Sequence, residues 1–211
     1  MASVIDEPLK RQHRQKRIAS EDEKSVLQCK VGNPNCGINL GESLAQGAIG
    51  VMPCDVCCAE PDFCRECLCL LCGKKMRCGF NAYTSVRCFA RLSGGGFCGH
   101  AAHLMCALEC QLAGVVKQLG LDMEYVCRRC DSKTDLRGHV VRLLDSLRYS
   151  SCRFTVEKNL GTALRIIQGT EDGGAKCLVH HLQTAIQMIW KGSDIRVVYD
   201  LLDGKKEIPA D

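Results

Sequence analysis

Two residues, Cys78 and Cys110, can be set aside at first. The remaining thiols and one imidazole between residues 69 and 130 then fall at intervals that suit a metal ion rather than a catalytic nucleophile. Cys69 and Cys72 form a C-x2-C pair. Cys88 and Cys98 follow singly, His103 stands three residues before Cys106, and Cys127 and Cys130 close with a second C-x2-C pair. Zinc takes four N or S ligands in a tetrahedron, and two ligands separated by two residues reach one ion from a single tight turn. The order is the one that two interleaved zinc ions require. A site with four protein ligands keeps no open position for water or substrate, so the chemistry expected is structural, without catalysis. The place of His103 before Cys106 makes it a ligand rather than a core residue, and His100 reads as its neighbour. Cys78 is one thiol more than two sites need and reads as spare, although it could displace Cys88. Cys110 reads as packing on the same helix face as Cys106.

The residues ahead of Cys69 carry a second thiol block. Cys54, Cys57, Cys58, Cys64 and Cys67 include two C-x2-C pairs that could close on one ion, a third zinc site. A competing arrangement joins Cys29 and Cys36 to Cys64 and Cys67 and leaves the middle pair for another role. The block holds too many thiols for one site, so a fourth metal or spare cysteines must be allowed. The zinc count expected is at least three.

Eighteen cysteines in 211 residues would also suit a secreted disulfide scaffold. The opening MASVIDEPLKRQHRQKR has no apolar run behind its charges and does not read as a signal peptide. No apolar stretch is long enough to span a membrane. Thiols are therefore expected free or metal-bound. Charged residues at 25% and apolar residues at 46% describe a globular chain, and aromatics at 5% describe a core short of rings. The formal charge of +4 counts every cysteine as neutral. Two all-cysteine zinc sites and one with a histidine would add about −5, leaving the chain near −1. Apparent basicity is thus weak evidence for nucleic acid. Arg65, Lys74, Lys75, Arg87, Arg128 and Arg129 sit beside the cysteines and offset thiolate charge.

The elements that position these residues can be read coarsely. Residues 1–25 form a basic arm in which Lys10, Arg11, Arg14, Lys16 and Arg17 cluster, either as a solvated arm or as a nuclear import signal. Residues 26–68 make a first zinc finger and 69–131 a second zinc module, with no linker between them. From His103, Leu104, Leu108, Leu112, Val115 and Leu119 recur at helical spacing, predicting a helix that runs on from the ligand pair. Residues 132–203 carry three i, i+4, i+7/8, i+11 stripes: Leu136 to Leu147, Val156 to Ile167 and Leu178 to Ile189. Thr134 and Thr155 are expected to cap the first two helices, Gly169 to end the second, and Gly173-Gly174 to open the third. Ile195 to Leu202 makes a short fourth helix before a polar tail, 204–211. Short connections imply an antiparallel bundle. Cys152, Cys177, His180 and His181 have no ligand spacing. The fold class expected is a small zinc-stabilised α+β module followed by an all-α helical bundle.

The ligand order resembles a plant homeodomain (PHD) finger. That resemblance implies cross-bracing: Cys69, Cys72, His103 and Cys106 on one zinc, and Cys88, Cys98, Cys127 and Cys130 on the other. The nine residues between Cys88 and Cys98 depart from the usual short gap. With FCRECLCLLC, CGHAAHLMCAL and EYVCRRC, they resemble the Oberon-type and vernalization-insensitive PHD proteins of plants. There a leading zinc finger is fused to an atypical PHD finger and a helical bundle. The resemblance implies a nuclear, non-catalytic protein of chromatin and transcription control whose partners are other nuclear proteins. Histone-reading PHD fingers usually place a tryptophan two residues before the ligand histidine, and here that position is Ala101. Phe80 and Tyr83 are the nearest aromatics, and the sole tryptophan, Trp190, lies far along the chain. Without cation–π walls, each worth about 0.5–2 kcal/mol, no useful trimethyl-lysine binding is expected. Weak contact with an unmodified histone H3 tail stays open, with Glu109, Asp122 and Glu124 as candidate contacts. The bundle offers a surface for homo- or hetero-oligomers.

Two other classes compete. A RING-type ubiquitin ligase also cross-braces two zinc ions. It would bring a C-x2-C soon after His-x2-Cys, whereas twenty residues separate Cys106 from Cys127, and Arg128-Arg129 lacks the usual proline. Nucleic-acid binding would want aromatics interleaved with bases or a recognition helix, and neither pattern is present.

Overall fold

The structure is a computed structural model that describes residues 29–33, 36, 62–76, 82–91 and 97–203. The basic arm, the tail, Cys54, Cys57, Cys58, Cys78 and Phe80 lie outside these residues. Among the described residues five short strands and five α-helices follow in the order β1 (Ser85–Arg87), β2 (Ala101–His103), α1 (Leu104–Glu109), β3 (Ala113–Val116), β4 (Leu121–Val126), β5 (Lys133–Asp135), α2 (Arg137–Leu147), α3 (Arg153–Ile167), α4 (Gly173–Trp190) and α5 (Ile195–Leu202). Single turns of 3-10 helix cover Ala82–Thr84 and Lys117–Leu119. Among the described residues no helix is long and apolar enough to cross a membrane. A cysteine-rich region with small sheets followed by a helical region is the fold class expected from the sequence.

β1 and β2 pair antiparallel, with Ser85 opposite His103 and Arg87 opposite Ala101. β3, β4 and β5 form a separate antiparallel sheet with β4 in the middle. The long helix expected after His103 is not there. It stops at Glu109 after 6 residues, with Cys110 at its C-cap. Gln111 takes a left-handed φ of +56°, and the β-branched pair Val115-Val116 prefers a pleated strand. Leu112 and Val115 match a helical period only by coincidence, and Leu119 is half exposed. Cys110, expected to pack, is exposed.

The three amphipathic stripes form α2, α3 and α4. Val140, Leu143, Leu144 and Leu147 of α2, Val156, Leu160 and Ile167 of α3, and Leu178, Leu182 and Ile189 of α4 are all buried. α4 opens at Gly173 as expected, while the starts of α2 and α3 differ from expectation. Thr134 is in β5, paired with Tyr125 of β4, so its backbone belongs to the sheet and α2 begins later. Asp135 does the local work, accepting the Arg137 N–H at 2.8 Å. Thr155 falls inside the first turn of α3, whose N-cap is Cys152 with no side-chain cap. Asp172 caps α4 by accepting the Ala175 N–H at 2.7 Å, and Asp194 caps α5 by accepting the Arg196 N–H at 2.9 Å. Such caps are worth about 1 kcal/mol. Gly169 follows α3 at φ +88°, the left-handed stop expected of it.

One apolar core runs through both regions, from Cys69 and Cys88 to Leu202. The end of α3 lies against β3 so closely that a side chain at Gly114, at φ +92°, would be both crowded and strained. A Cβ there would stand 3.2 Å from the Arg165 carbonyl and 3.3 Å from Leu108. His139 of α2 adds a polar tie. Its Nε2–H donates to the Tyr83 carbonyl at 2.5 Å, and burial lowers its pKa, keeping the ring neutral.

Candidate metal centres

Among the described residues three tetrads of thiols and imidazole gather. Cys29, Cys36, Cys64 and Cys67 form the first, Cys69, Cys72, His103 and Cys106 the second, and Cys88, Cys98, Cys127 and Cys130 the third. Within each, all ligand atoms lie within 4.8 Å of one another. The antiparallel register of β1 and β2 explains the crossing of the second and third. Cys88 follows the last residue of β1, while His103 is the last residue of β2, so the two fall at opposite ends of one ribbon. α1 then brings Cys106 back one turn from His103, and the turn after β4 holds Cys127 and Cys130, with the Asp131 N–H bonded to the Cys127 carbonyl at 2.8 Å.

Of the two arrangements the leading block allows, the described residues bring Cys64 and Cys67 to Cys29 and Cys36. Cys54 and Cys57 lie outside the described residues. His100 stands beside the third tetrad. Its Nδ1 is 3.3 Å from Cys98 Sγ and 3.0 Å from the Cys98 carbonyl, and burial lowers its pKa to about 4.

The distances discriminate between a metal and a disulfide. A tetrahedron with Zn–S bonds of about 2.3 Å has S···S edges of about 3.8 Å, whereas a disulfide brings the sulfurs to about 2.05 Å. Cys29 to Cys67 is 3.7 Å, Cys36 to Cys64 3.8 Å, Cys88 to Cys130 3.6 Å and Cys98 to Cys127 3.7 Å. With a Zn–N bond of about 2.0 Å the mixed edge is about 3.5 Å. His103 Nδ1 is 3.4 Å from Cys72 Sγ and 3.8 Å from Cys106 Sγ. The three tetrads therefore fit zinc, the first and third with four thiolates each and the second with three thiolates and an imidazole.

Electrostatics point the same way. In the third tetrad the neighbouring Cys88 thiol brings Cys127 down to about 5, while burial raises Cys98 to about 12 and the Cys127 thiolate pushes Cys88 up. Burial raises Cys106 to about 12 in the second. Crowded thiolates repel, and only a cation at their centre lets all four ionise together. Outer donors support them: the His103 N–H donates to Cys69 Sγ at 3.2 Å and Asn33 Nδ2 to Cys67 Sγ at 3.3 Å.

The family model described as "PHD - plant homeodomain finger protein", of the Oberon type, matches residues 31–165, more than half of the chain. The chain belongs to the Oberon-type PHD family. It is 25% identical over 178 residues to Protein TITANIA of Oryza sativa subsp. japonica, covering 82% of this chain and 22% of that protein. It is 26% identical over 145 residues to Protein OBERON 1 of Arabidopsis thaliana, covering 66% of this chain and 24% of that protein. The chain thus spans about a quarter of the length of the curated relatives it matches.

In this PHD finger Ala101 is 2% exposed in β2, where a histone-reading finger usually carries tryptophan, and Tyr83 is half-buried. Of the acidic candidates, Asp122 accepts the Glu171 N–H at 3.3 Å, Glu124 pairs with Lys133 at 3.2 Å, and Glu109 is exposed. Two residues of the first knuckle do more than their sequence context suggests, which marks Arg65 only as local counter-charge and Glu66 not at all. Arg65, 2% exposed, donates through Nη1 to the Cys98 carbonyl at 3.0 Å, and Glu66, 5% exposed, pairs with Arg87 at 3.2 Å. Their burial inside the Cys64-x2-Cys67 turn carries no periodic signal, so the sequence offers nothing to mark it.

Proposed function

We propose that this PHD protein is a non-catalytic, zinc-held interaction module that works in the plant nucleus, in chromatin or transcription control. On this reading each tetrad holds one zinc through the four residues named for it. The observation that carries it is that each tetrad fills all four positions of a zinc tetrahedron with protein donors at closed-site distances. Such sites shape a surface and do not activate water. The Oberon-type family supports the nuclear setting. Ala101 supports the absence of methyl-lysine reading, because its buried methyl group supplies no aromatic face to a cation.

The test is recovery of a tagged chain from plant nuclei, with bound proteins identified by mass spectrometry. Chromatin or transcription proteins are expected with the native chain and lost with the Cys69→Ser/Cys72→Ser variant. Exclusion from the nucleus, or recovery that ignores the double substitution, would overturn the reading. Calorimetry with a trimethylated histone H3 peptide is expected to show no binding in the low-micromolar range. An autoubiquitination assay with a panel of conjugating enzymes is expected to stay blank; ubiquitin chains would move the chain to the RING-type ligases.

A further inference from the structure

The outer faces of α3 and α4 enclose an open groove of about 780 Å³, and Met105 of α1 lies at its wall. Its aromatic residues are unusually bare for their size: Phe154 is 73% exposed and Trp190 69%. Phe154, Lys158, Gly161 and Arg165 follow one another at i, i+4, i+7 and i+11, the stripe of α3 that faces away from its buried residues. A mid-helix glycine is less stable than alanine by about 0.5–1 kcal/mol. At Gly114 a steric reason is visible. At Gly161 none is: a Cβ there would meet nothing within 4 Å. Within this chain the missing side chain relieves no contact; it deepens the groove floor for something that approaches from outside.

Charge narrows the occupant. Glu157 is engaged by Trp190, whose Nε1–H donates to its Oε1 at 2.7 Å. Lys158 and Arg165 line the same groove and form no ion pair among the described residues. With Glu157 counted against Lys158 and Arg165, the groove keeps a net positive charge beside its apolar residues. Shape narrows it further. Both walls are helix faces with satisfied backbones, so no strand edge is available to hold an extended peptide by main-chain hydrogen bonds. A helix brings its own backbone bonds and needs only side-chain contacts. From Phe154 to Arg165 the floor is about 16 Å long, about three helical turns.

We infer that this groove docks an amphipathic helix of a partner protein, apolar on the face that enters and bearing carboxylates along its flanks. Trp190 and Phe154 are the anchors, Gly161 the point of closest approach, and Lys158 and Arg165 the partners of the flanking carboxylates. The inference rests on the reading of the chain as an interaction module and names one class of partner for it.

The experiment uses the full zinc-loaded chain. Its probe is a capped peptide of about 16 residues, long enough to cover the floor as a helix, with Leu on one face and Glu on the flanks. The control is the same peptide with Lys on the flanks. Trp190 is the sole tryptophan, so its emission reports the groove directly. The acidic peptide is expected to shift that emission to the blue saturably and to bind at least about tenfold more tightly than the basic one. By anisotropy of the labelled peptide, Trp190→Ala is expected to weaken binding about tenfold or more. Gly161→Ala separates a binding role from a structural one. It is expected to raise the melting temperature while weakening the peptide several-fold; a stabilised variant that binds as before overturns the inference. So does no binding up to about 1 mM, equal binding of the two peptides, or a blue shift that appears on concentrating the chain alone, which would seat a second copy in the groove. If the groove fails while Trp190→Ala still recovers nuclear partners in a zinc-dependent way, the module reading stands and this one falls.

Discussion

Among the described residues from Cys64 to Cys130 no strand exceeds 6 residues and the one α-helix has 6, whereas from Arg137 to Leu202 four helices of 11, 15, 18 and 8 residues follow one another. In the first stretch Cys69, Cys88, Cys98 and Cys127 are among the most buried residues, occupying places where an ordinary core would have leucine. In the second those places belong to Leu143, Leu144, Leu160, Ile166 and Ile167. Short strands with little apolar surface do not hold together alone; cross-linking through metal substitutes for the missing interior. The helices bury whole apolar faces and need no such support. The two solutions nevertheless share one core, joined where α3 rests on β3. Removing one support while watching the other tests how separate they are.

Stripping the metal should have the largest effect. A structural zinc contributes about 10–16 kcal/mol of apparent folding free energy, as much as or more than the whole stability of a typical domain. A strong chelator is expected to remove hydrogen-exchange protection from β1, β2 and β4. Protection in α3 and α4 should weaken but persist, because only one face of α3 loses its support. If the amides of α3 exchange in step with those of β4, the contrast fails and the chain is one cooperative unit.

The converse is an attack on the helices. Leu144 is fully buried in α2, and Leu144→Ala should destabilise the chain by about 2–5 kcal/mol through lost burial and the cavity left behind. Denaturant unfolding reads the loss. Native mass spectrometry of the variant should still count at least three zinc ions, since the tetrads take no ligand from α2. Zinc loss on this substitution would show that the helices hold the tetrads together.

The two regions are also legible in different degrees. A C-x2-C pair encodes a cross-link whatever the local backbone does, so the second and third tetrads can be drawn from spacing and family resemblance while the strands between them cannot. The stretch after His103 shows the limit. Leu104 and Leu108 keep a helical period, Leu112 and Val115 continue it by chance, and Gln111 and the β-branched pair break it for backbone reasons that periodicity ignores. Farther on, the stripes of α2, α3 and α4 are plain because whole turns of apolar residues repeat. Their starts are less so, since Thr134 and Thr155 look suitable as caps although the first belongs to β5 and the second to the first turn of α3. The first tetrad stays open between two arrangements because only the path of the chain brings Cys29 and Cys36 to Cys64 and Cys67.

Arg65 sharpens the comparison at its smallest scale. It lies between Cys64 and Cys67 of the first tetrad and reaches Cys98 of the third, so one side chain spans two metal centres. A guanidinium that is 2% exposed needs compensating charge nearby, and an all-cysteine zinc site carries about −2. Arg65→Met keeps the apolar stem and removes the charge and the donor. The Cys98 carbonyl then loses a hydrogen bond in a buried place, a loss of about 1–3 kcal/mol. That loss should fall unevenly. Among the described residues the first tetrad has only Val31 packed beside its cysteines, in a cluster separate from the main core, while the third is embedded in that core. Chelator competition should therefore show one zinc released faster from the variant and the other two nearly as before. Equal acceleration of all three would mean that the guanidinium serves the whole cysteine region and that the first tetrad is no more detachable than the rest.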